Sequence, residues 1–529
     1  MPISLLCCGS YSKKNYMHLF HRLIWSYVPL LSAFIILLTL QPGTAVTRRA
    51  PCPVIAIVGA GFSGTMVATH LLREARSPLR VVLIERAETA GAGIAYREQS
   101  DRHLLNVRAE GMSAFPDQPG HFLRWLAEYR GDDALVNPAA FMPRRLYGQY
   151  LRDVLAAAAD QAQRDVRLEI VQDEVTGFAA IPPRTTLRLA SGTTIDADRV
   201  VLAIGNPGPA DPPVDDRQFY SSPMYQSHAW SMQGLISLRR DDAVLLVGSG
   251  LTTLDWIASL AERGHRGAIH VVSRRGLLPR VHQAAARHVL GFDPGTAAPR
   301  VRLLMRLIRA EIAQVVAAGG DWRSVMDALR PHGQTLWQRL PRPEQLRFLR
   351  HARTWWDIHR HRAAPRNLET VQRLIDKGQL QVLAARPVAF VERGDAVDVH
   401  LRPRGRTEVV VRSVQRVVNC TGPDSNYRRL NHPLLNTLRE QGLASVDDIG
   451  LGLQTDAGGR LQQQDGSASP TLFTLGPPRK GALWETTAVP EIRQQAQALA
   501  RDLLVTLDSQ RSEAGESRGV VSGLGLTLA

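Results

Sequence analysis

Two stretches of the chain repeat one layout, and that repetition limits the fold more than any other feature. PVIAIVGAGFSGTMVATHLL (53–72) reads as an apolar strand, a glycine turn and a helix with apolar residues at helical spacing, and VVLIE (81–85) follows as a β-branched strand. DAVLLVGSGLTTLDWIASLAERG (242–264) and HVVSRRG (270–276) repeat the order. Gly59 to Glu85 and Gly248 to Arg274 each span 26 residues. Each copy is closed downstream by a β-rich run, RTTLRLASGTTIDADRVVLAIGNP (184–207) and VDVHLRPRGRTEVVVRSVQRVVNCTGP (397–423), that passes through an apolar strand to a glycine. First to closing glycine is 146 residues in copy one and 174 in copy two, and an Arg-rich helical insert accounts for the difference. The expected fold class is α/β, with two Rossmann-like dinucleotide-binding domains, the second nested in the first.

The glycines have separate tasks. Gly59 permits a tight turn, Gly61 lets a pyrophosphate approach the backbone, and Gly64 lets the helix pack closely on the strand, while the helix N-terminus offers N–H groups to phosphate. Copy two keeps Gly248 and Gly250, with Ser249 and Thr252 beside them, but Thr253 takes the third position and should hold helix and strand slightly farther apart. The strand tips differ in charge. Glu85 can accept hydrogen bonds from both hydroxyls of a ribose, whereas Ser273, Arg274 and Arg275 suit a 2′-phosphate that a carboxylate would repel. Copy one is therefore expected to hold the adenosine half of FAD and copy two NADPH. The plainer alternatives are a glycine turn that binds nothing and two arginines that are only solvated.

Charge is concentrated. Of a net +15, most lies between His265 and Arg366, where 19 Arg face 6 acidic residues. A solvated helical face would give this pattern, and so would a surface for an acidic small molecule or a phosphate-bearing cofactor. No nucleic-acid-binding module accompanies it, so no nucleic-acid partner is expected. Within RFLRHARTWWDIHRHR (347–362), Arg350, Arg353 and Asp357 fall at helical spacing with Trp355 and Trp356 interleaved. The four cysteines, Cys7, Cys8, Cys52 and Cys420, form no CxxC pair and no zinc spacing, so neither a metal nor a dithiol relay is expected.

The first fifty residues differ from the rest. An uncharged run from Leu23 to Thr47 follows Lys13, Lys14 and Arg22, and it has three readings: a membrane anchor, an export signal, or translation from a start codon upstream of the true one. The expected location is cytoplasmic, with membrane contact only if residues 23–47 are a genuine anchor.

GAGFSG, GAGIAYREQSDRHLLNVRAEGMSAFPDQPGHFLRWL (91–126), GSGLTTLDW and LFTLGPPRKGALWETTAVPEIR (472–493) together resemble a bacterial family of FAD/NAD(P)-binding flavoproteins related to FAD-dependent urate hydroxylases and amino-acid N-monooxygenases. The resemblance covers roughly residues 54–505. It implies that Gly59, Gly61, Ser63, Gly64 and Glu85 bind FAD, that His103, Asn106 and Arg108 lie along it, and that Val175 contacts the adenine through its backbone. It also implies that Gly476 approaches the ribityl chain, although Pro477 replaces the Asp that many flavoproteins place next. Beside that glycine, Trp484, Glu485 and Thr486 are candidate catalytic residues, supplying an aromatic wall, a carboxylate and a hydroxyl.

The function these features imply is hydride transfer from NADPH to FAD and, with no dithiol to carry electrons onward, reaction of the reduced flavin with O₂ to hydroxylate a small amino or purine substrate. The Arg-rich segment would suit an anionic one. A reductase serving an external acceptor and a non-catalytic FAD-binding sensor remain open. Domain limits are expected at 1–50 (leader), 51–215 (FAD domain, first part), 216–412 (NADPH domain, with the insert at about 280–370), 413–505 (FAD domain, second part) and 506–529 (flexible tail).

Overall fold

The computed structural model describes residues 52–521 apart from 98–99, 132–135, 182–183 and 232. The chain divides into Met1–Cys52 and Pro53–Ala529. The apolar segment 23–47 lies outside the described residues, and among those described no helix is long and apolar enough to cross a membrane.

Within Pro53–Ala529 the strands and principal helices begin with β1 (Val54–Val58), α1 (Phe62–Glu74), β2 (Leu79–Glu85), α2 (Arg144–Asp160), β3 (Val166–Gln172), β4 (Val175–Ile181), β5 (Arg184–Leu189), β6 (Thr194–Ala197), β7 (Arg199–Leu202) and β8 (Tyr225–Gln226). There follow β9 (Val244–Val247), α3 (Leu251–Glu262), β10 (Ile269–Ser273), α4 (Val301–Ala317), α5 (Trp322–Leu329), α6 (Gly333–Arg339), α7 (Arg353–Arg360) and α8 (Pro365–Asp376). The chain closes with β11 (Leu380–Arg393), β12 (Ala396–Pro403), β13 (Val410–Val414), β14 (Arg416–Asn419), β15 (Arg460–Gln462), β16 (Ala468–Thr474) and α9 (Val489–Val521).

Two sheets carry the repeat. One has the order β15-β16-β7-β1-β2-β3 and the other β13-β12-β11-β10-β9-β14-β8, while β4, β5 and β6 form a small antiparallel sheet. β1 lies between β2 and β7, parallel to both, as β9 lies between β10 and β14. Each of these central strands has neighbours reached by crossovers in opposite directions, which opens a crevice at its carboxyl end. Every residue of β1, β7 and β9 is buried, as expected of parallel strands covered on both faces. The first core joins Ile55 and Ile57 of β1 to Met66 and Leu71 of α1 and to Leu499 and Leu503 of α9. In the second, α8 packs on α3 through Val371, Leu374, Leu254 and Ile257.

Two expected limits need correction. The boundary at 412 cuts β13 and puts β14 in the FAD domain, yet β14 pairs with β9 from Arg416↔Val244 to Asn419↔Val247, so the second sheet extends to Asn419. The tail is not free from 506 onward either, because α9 continues to Val521, Leu507 is buried, and Gln510 Oε1 accepts a hydrogen bond of 2.8 Å from Arg199 Nη2. The polar composition of that segment hid a helix whose single apolar face is held by the first core.

The segment 100–108 is clasped to the second domain. His103 Nε2 lies 2.7 Å from Ser259 Oγ and 3.2 Å from Asp255 O on α3, and Arg144 pairs with Asp255 at 3.0 Å. His282 Nε2 donates to Asn106 O at 2.9 Å. Burial, reinforced by Arg362, pulls the His282 pKa down to about 4. A depressed folded-state pKa gives a contribution that is intact above the ordinary histidine value and lost as pH falls toward 4. Acidification from pH 7 to 4 should therefore lower the hydrogen-exchange protection of residues 103–108, taken relative to the intrinsic exchange rate at each pH. In His282→Gln, which keeps a donor and does not titrate, that loss should start at lower pH.

Candidate dinucleotide sites and the aromatic cluster beside Gly476

The first glycine turn joins β1 to α1. Gly59 has φ +100°, its N–H donates to Ile84 O at 2.8 Å, and a Cβ on it would stand 2.5 Å from Ala203 O. A Cβ on Gly64 would stand 1.9 Å from Gly59 O. Packing thus demands both. Gly61 is different: its Cβ would meet only Gly93 Cα, at 3.7 Å, so the protein's own packing gives no reason for glycine there. A cradle that a side chain would fill, at the mouth of a helix, is what an approaching pyrophosphate needs. Glu85, at the tip of β2, accepts from Ala60 N–H at 2.8 Å and Ala87 N–H at 3.1 Å, which fixes its carboxylate beside the turn. Val175 starts β4 just past Gln172, the register partner of Glu85, and so lies at the same end of the sheet.

The second turn repeats the first. Gly248 has φ +117°, its N–H donates to Val272 O at 2.8 Å, and a Cβ on it would stand 2.3 Å from Cys420 O. Gly250 has nothing within 4 Å of an added Cβ. Where Gly64 leaves no room for a methyl, Thr253 fits a whole side chain and donates its hydroxyl to Gly248 O at 2.9 Å. Ser249 and Ser273 are hydrogen-bonded at 2.8 Å, and Ser273 Oγ accepts from Gly276 N–H at 3.0 Å, so these hydroxyls shape the loop. Thr252 is half-buried in the first turn of α3. Arg274 is exposed, and Arg275 lies over the Trp355 ring, 5.8 Å from its centroid.

Among the residues expected along FAD, His103 points into the clasp with α3, Asn106 offers its carbonyl to His282, and Arg108 lies 3.8 Å from Glu110. Ser63 is better placed: a Cβ on Gly476 would come within 3.0 Å of its Oγ, so the end of β16 meets the first turn of α1. Gly476 has φ +73°. Its N–H donates to Gln495 Oε1 at 3.1 Å, its carbonyl accepts from Thr486 Oγ1 at 2.9 Å, and Gln495 Nε2 donates to Thr486 Oγ1 at 2.9 Å. Thr486 therefore positions the glycine. With Pro477 opening the next turn, buried Arg479 anchors it by donating to Asp456 O at 3.1 Å and Ala457 O at 2.8 Å.

Beyond that turn lies a packed aromatic cluster that no local pattern announced. Leu483, Trp484 and Glu485 form a γ-turn in which Glu485 N–H donates to Leu483 O at 2.7 Å and Trp484 has φ 57° and ψ −64°. Such a conformation costs a non-glycine residue on the order of 1–3 kcal/mol, and residues held this way cluster at functional sites. The strain is held from the insert. Trp337 of α6 stacks on Trp484 at 4.9 Å and donates its indole N–H to Gly481 O at 2.7 Å, and Phe348, in the π-helical turn before α7, meets Trp484 edge-on at 5.1 Å. Glu485 is 7% exposed, accepts from Trp356 Nε1 at 3.0 Å and pairs with Arg360 at 3.3 Å. Arg360 and Arg330 both reach Glu491, at 3.2 and 3.1 Å. Glu485 is thus committed to the insert, and part of the Arg-rich charge is spent fastening the insert over the end of β16. Among the described residues no group of three or more His, Cys, Asp or Glu is placed to hold a metal ion.

Residues 56–207 match the model of an FAD-NAD(P)-binding family. That span runs from β1 and its glycine turn to the end of the strand closing copy one. A 222-residue alignment, 28% identical, pairs 39% of the chain with 39% of the Escherichia coli K12 uncharacterized protein YdhS. Similar solved structures include an ornithine N-hydroxylase of Kutzneria sp. 744 (TM-score 0.57, 14% identity, 87% of this chain and 99% of that one). Others are an ornithine hydroxylase of Pseudomonas aeruginosa (0.59, 16%, 86% and 99%) and an L-lysine 6-monooxygenase of Pseudomonas syringae (0.59, 15%, 85% and 99%). At such identities the likeness establishes the fold, two nested dinucleotide-binding domains across most of the chain.

Proposed function

We propose that the protein is an FAD- and NADPH-dependent monooxygenase that hydroxylates a small amino-bearing substrate, with FAD at the first glycine turn and NADPH at the second. One observation carries this reading: two copies of one turn, each open only at its middle glycine, end in strand tips of opposite charge, Glu85 and Arg274. The resemblance of the fold to ornithine and lysine hydroxylases supports the reaction class.

FAD would supply the acceptance of hydride and the reaction with O₂. The chain would do the rest. Gly61 N–H and the start of α1 would hold the pyrophosphate, Glu85 the ribose hydroxyls, and Gly476, fixed by Thr486 and Gln495, would let the backbone approach the flavin end. The insert, fastened through Glu485 and Glu491, would exclude water beyond that point. The full-length protein should carry about one FAD per chain and, with NADPH and its substrate, consume O₂. Substrate-free release of hydrogen peroxide accords with an oxygen-reacting flavin, whereas turnover with an artificial acceptor and none with O₂ would reject the monooxygenase in favour of a reductase.

Cofactor choice is testable separately. Loss of a charge-assisted contact costs about 1.5–3 kcal/mol, roughly one to two orders of magnitude in affinity. Arg274→Ala with Arg275→Ala should weaken flavin reduction by NADPH by about that factor and leave reduction by NADH nearly level. Arg274→Ala alone should carry most of the loss, since Arg275 already rests on Trp355. The measurement is the ratio of apparent dissociation constants for the two nucleotides in stopped-flow flavin reduction; an unchanged ratio would reject the assignment of the second turn.

A further inference from the structure

At the amino ends of β9 and β10, the far end of those strands from Gly248 and Arg274, the surface folds in on a cavity of about 170 Å³. Leucine side chains, Leu260 among them, line its apolar part, and Arg239, Arg240, Arg263 and His265 line the rest. The loops that carry these groups are fixed. Arg240 O accepts from Arg266 N–H at 2.7 Å and Gly267 N–H at 3.0 Å, His265 N–H donates to Leu260 O at 3.0 Å, and His265 O accepts from Gln379 Nε2 at 2.8 Å. The nearby carboxylates are already matched: Asp242 accepts from Arg239 at 2.9 Å, Asp241 from Arg266 at 2.8 Å and Glu262 from Arg102 at 3.4 Å. That leaves Arg240 and Arg263, both exposed, without an ion pair among the described residues. His265 is 8% exposed, and among the described residues its Nε2 has no hydrogen-bond partner.

We infer that this cavity binds a hydrogen-phosphate anion, whose charged oxygens accept from the Arg240 and Arg263 guanidinium groups while its P–OH donates to His265 Nε2. Planar guanidinium groups suit phosphate oxygens, and a buried acceptor left without a donor is costly. Burial lowers the His265 pKa against the opposing pull of Asp242 and Asp241, and the ring also hydrogen-bonds the Asp242 backbone. The imidazole is therefore neutral at pH 7.5, with its proton turned to Asp242 and Nε2 left as an acceptor. A ligand that meets all three groups must bring negative charge and a proton together, which phosphate does and sulfate does not. The carboxyl end of α3 disfavours an anion, but its last carbonyls are engaged by the N–H groups of Arg263, Gly264 and His265. The inference does not rest on the flavin or nicotinamide assignments, since neither glycine turn borders the cavity.

The test is calorimetric titration of the full-length protein, saturated with FAD and NADP⁺, with inorganic phosphate, sulfate and glycerol phosphate at pH 7.5. Inorganic phosphate keeps a P–OH in either of its charge states there, sulfate has none, and a phosphomonoester, with a second pKa of about 6, has lost nearly all of its own. Wild type should bind inorganic phosphate roughly tenfold or more tightly than the other two. Arg240→Gln with Arg263→Gln, both at exposed positions, should weaken phosphate binding roughly a hundredfold or more. His265→Gln, which presents an amide N–H in place of an acceptor, should lose the preference for phosphate over sulfate. If His265→Gln does not fold, the selectivity of wild type and the arginine double variant decide. Phosphate binding that survives in the double variant, that is displaced by NADP⁺, or that sulfate or glycerol phosphate matches in wild type overturns the inference. So does a phosphate preference that a folded His265→Gln protein retains, or the lack of any phosphate binding by wild type at millimolar concentration.

Discussion

Gly61→Val should give a protein that folds and retains almost no FAD, whereas Gly64→Ala should fail to fold properly. The two glycines belong to one motif, but the structure gives them different reasons. At Gly64 the obstacle is backbone, Gly59 O at 1.9 Å from an added Cβ, and a carbonyl at the end of a buried parallel strand cannot move aside without pulling β1 from β2 and β7. At Gly61 the added Cβ makes only ordinary contact with Gly93 Cα, 3.7 Å away at the start of the short helix Gly93–Tyr96. What valine would obstruct is the approach of the pyrophosphate to the Gly61 backbone and the mouth of α1. Losing the phosphate-to-backbone contacts costs several charge-assisted hydrogen bonds at about 1.5–3 kcal/mol each, enough to lower affinity by three orders of magnitude or more. The check is flavin absorbance per chain after purification, with far-ultraviolet circular dichroism as the control for folding. A folded Gly61→Val protein with stoichiometric FAD would remove the first turn as the FAD site.

Gly250 offers the same comparison, and it marks how far the sequence could be read. The two turns and the strand tips 26 residues beyond them were legible because each is a local pattern: an apolar run, glycines at fixed offsets, a charge at a strand end. The third position in copy two was legible for the same reason, and Thr253 fits where a glycine stands in copy one. The aromatic cluster after β16 was not. It joins residues 330–360 of the insert to residues 476–491 after β16, and no periodicity in either stretch names the other. Trp484, Glu485 and Thr486 stood out by type, but only the packing assigns them work: a strained ring, a carboxylate spent on Arg360, and a hydroxyl that holds Gly476. His103, expected along FAD from its motif, has a further tie that the motif did not announce, a hydrogen bond to Ser259 on α3.

The pair of Glu485 and Arg360 should be the strongest single fastening of the insert. Both side chains are nearly buried, at 8% and 10% exposure. Burial pulls the Arg360 guanidinium below its usual range and Glu485 is the main opposing influence. Replacing such a pair by apolar residues is often neutral, but removing one partner strands the other charge, at about 3–5 kcal/mol. Glu491 would still face Arg360 at 3.2 Å, so the cost of Glu485→Ala belongs near the lower end of that range. The consequence should be local, because the carboxylate also holds Trp356 and, through the insert, the γ-turn at Trp484. About 3 kcal/mol of lost closure corresponds to a drop of roughly two orders of magnitude in hydrogen-exchange protection for amides of residues 481–486 and of the turn Phe348–Ala352, with β1 and β9 unchanged. Arg360→Met should produce a similar opening by stranding Glu485. The double variant Glu485→Leu with Arg360→Met should recover much of the protection, since neither charge then remains to be solvated. Additive losses in the double variant would mean that the two residues act independently and that the insert is held by its aromatic contacts alone.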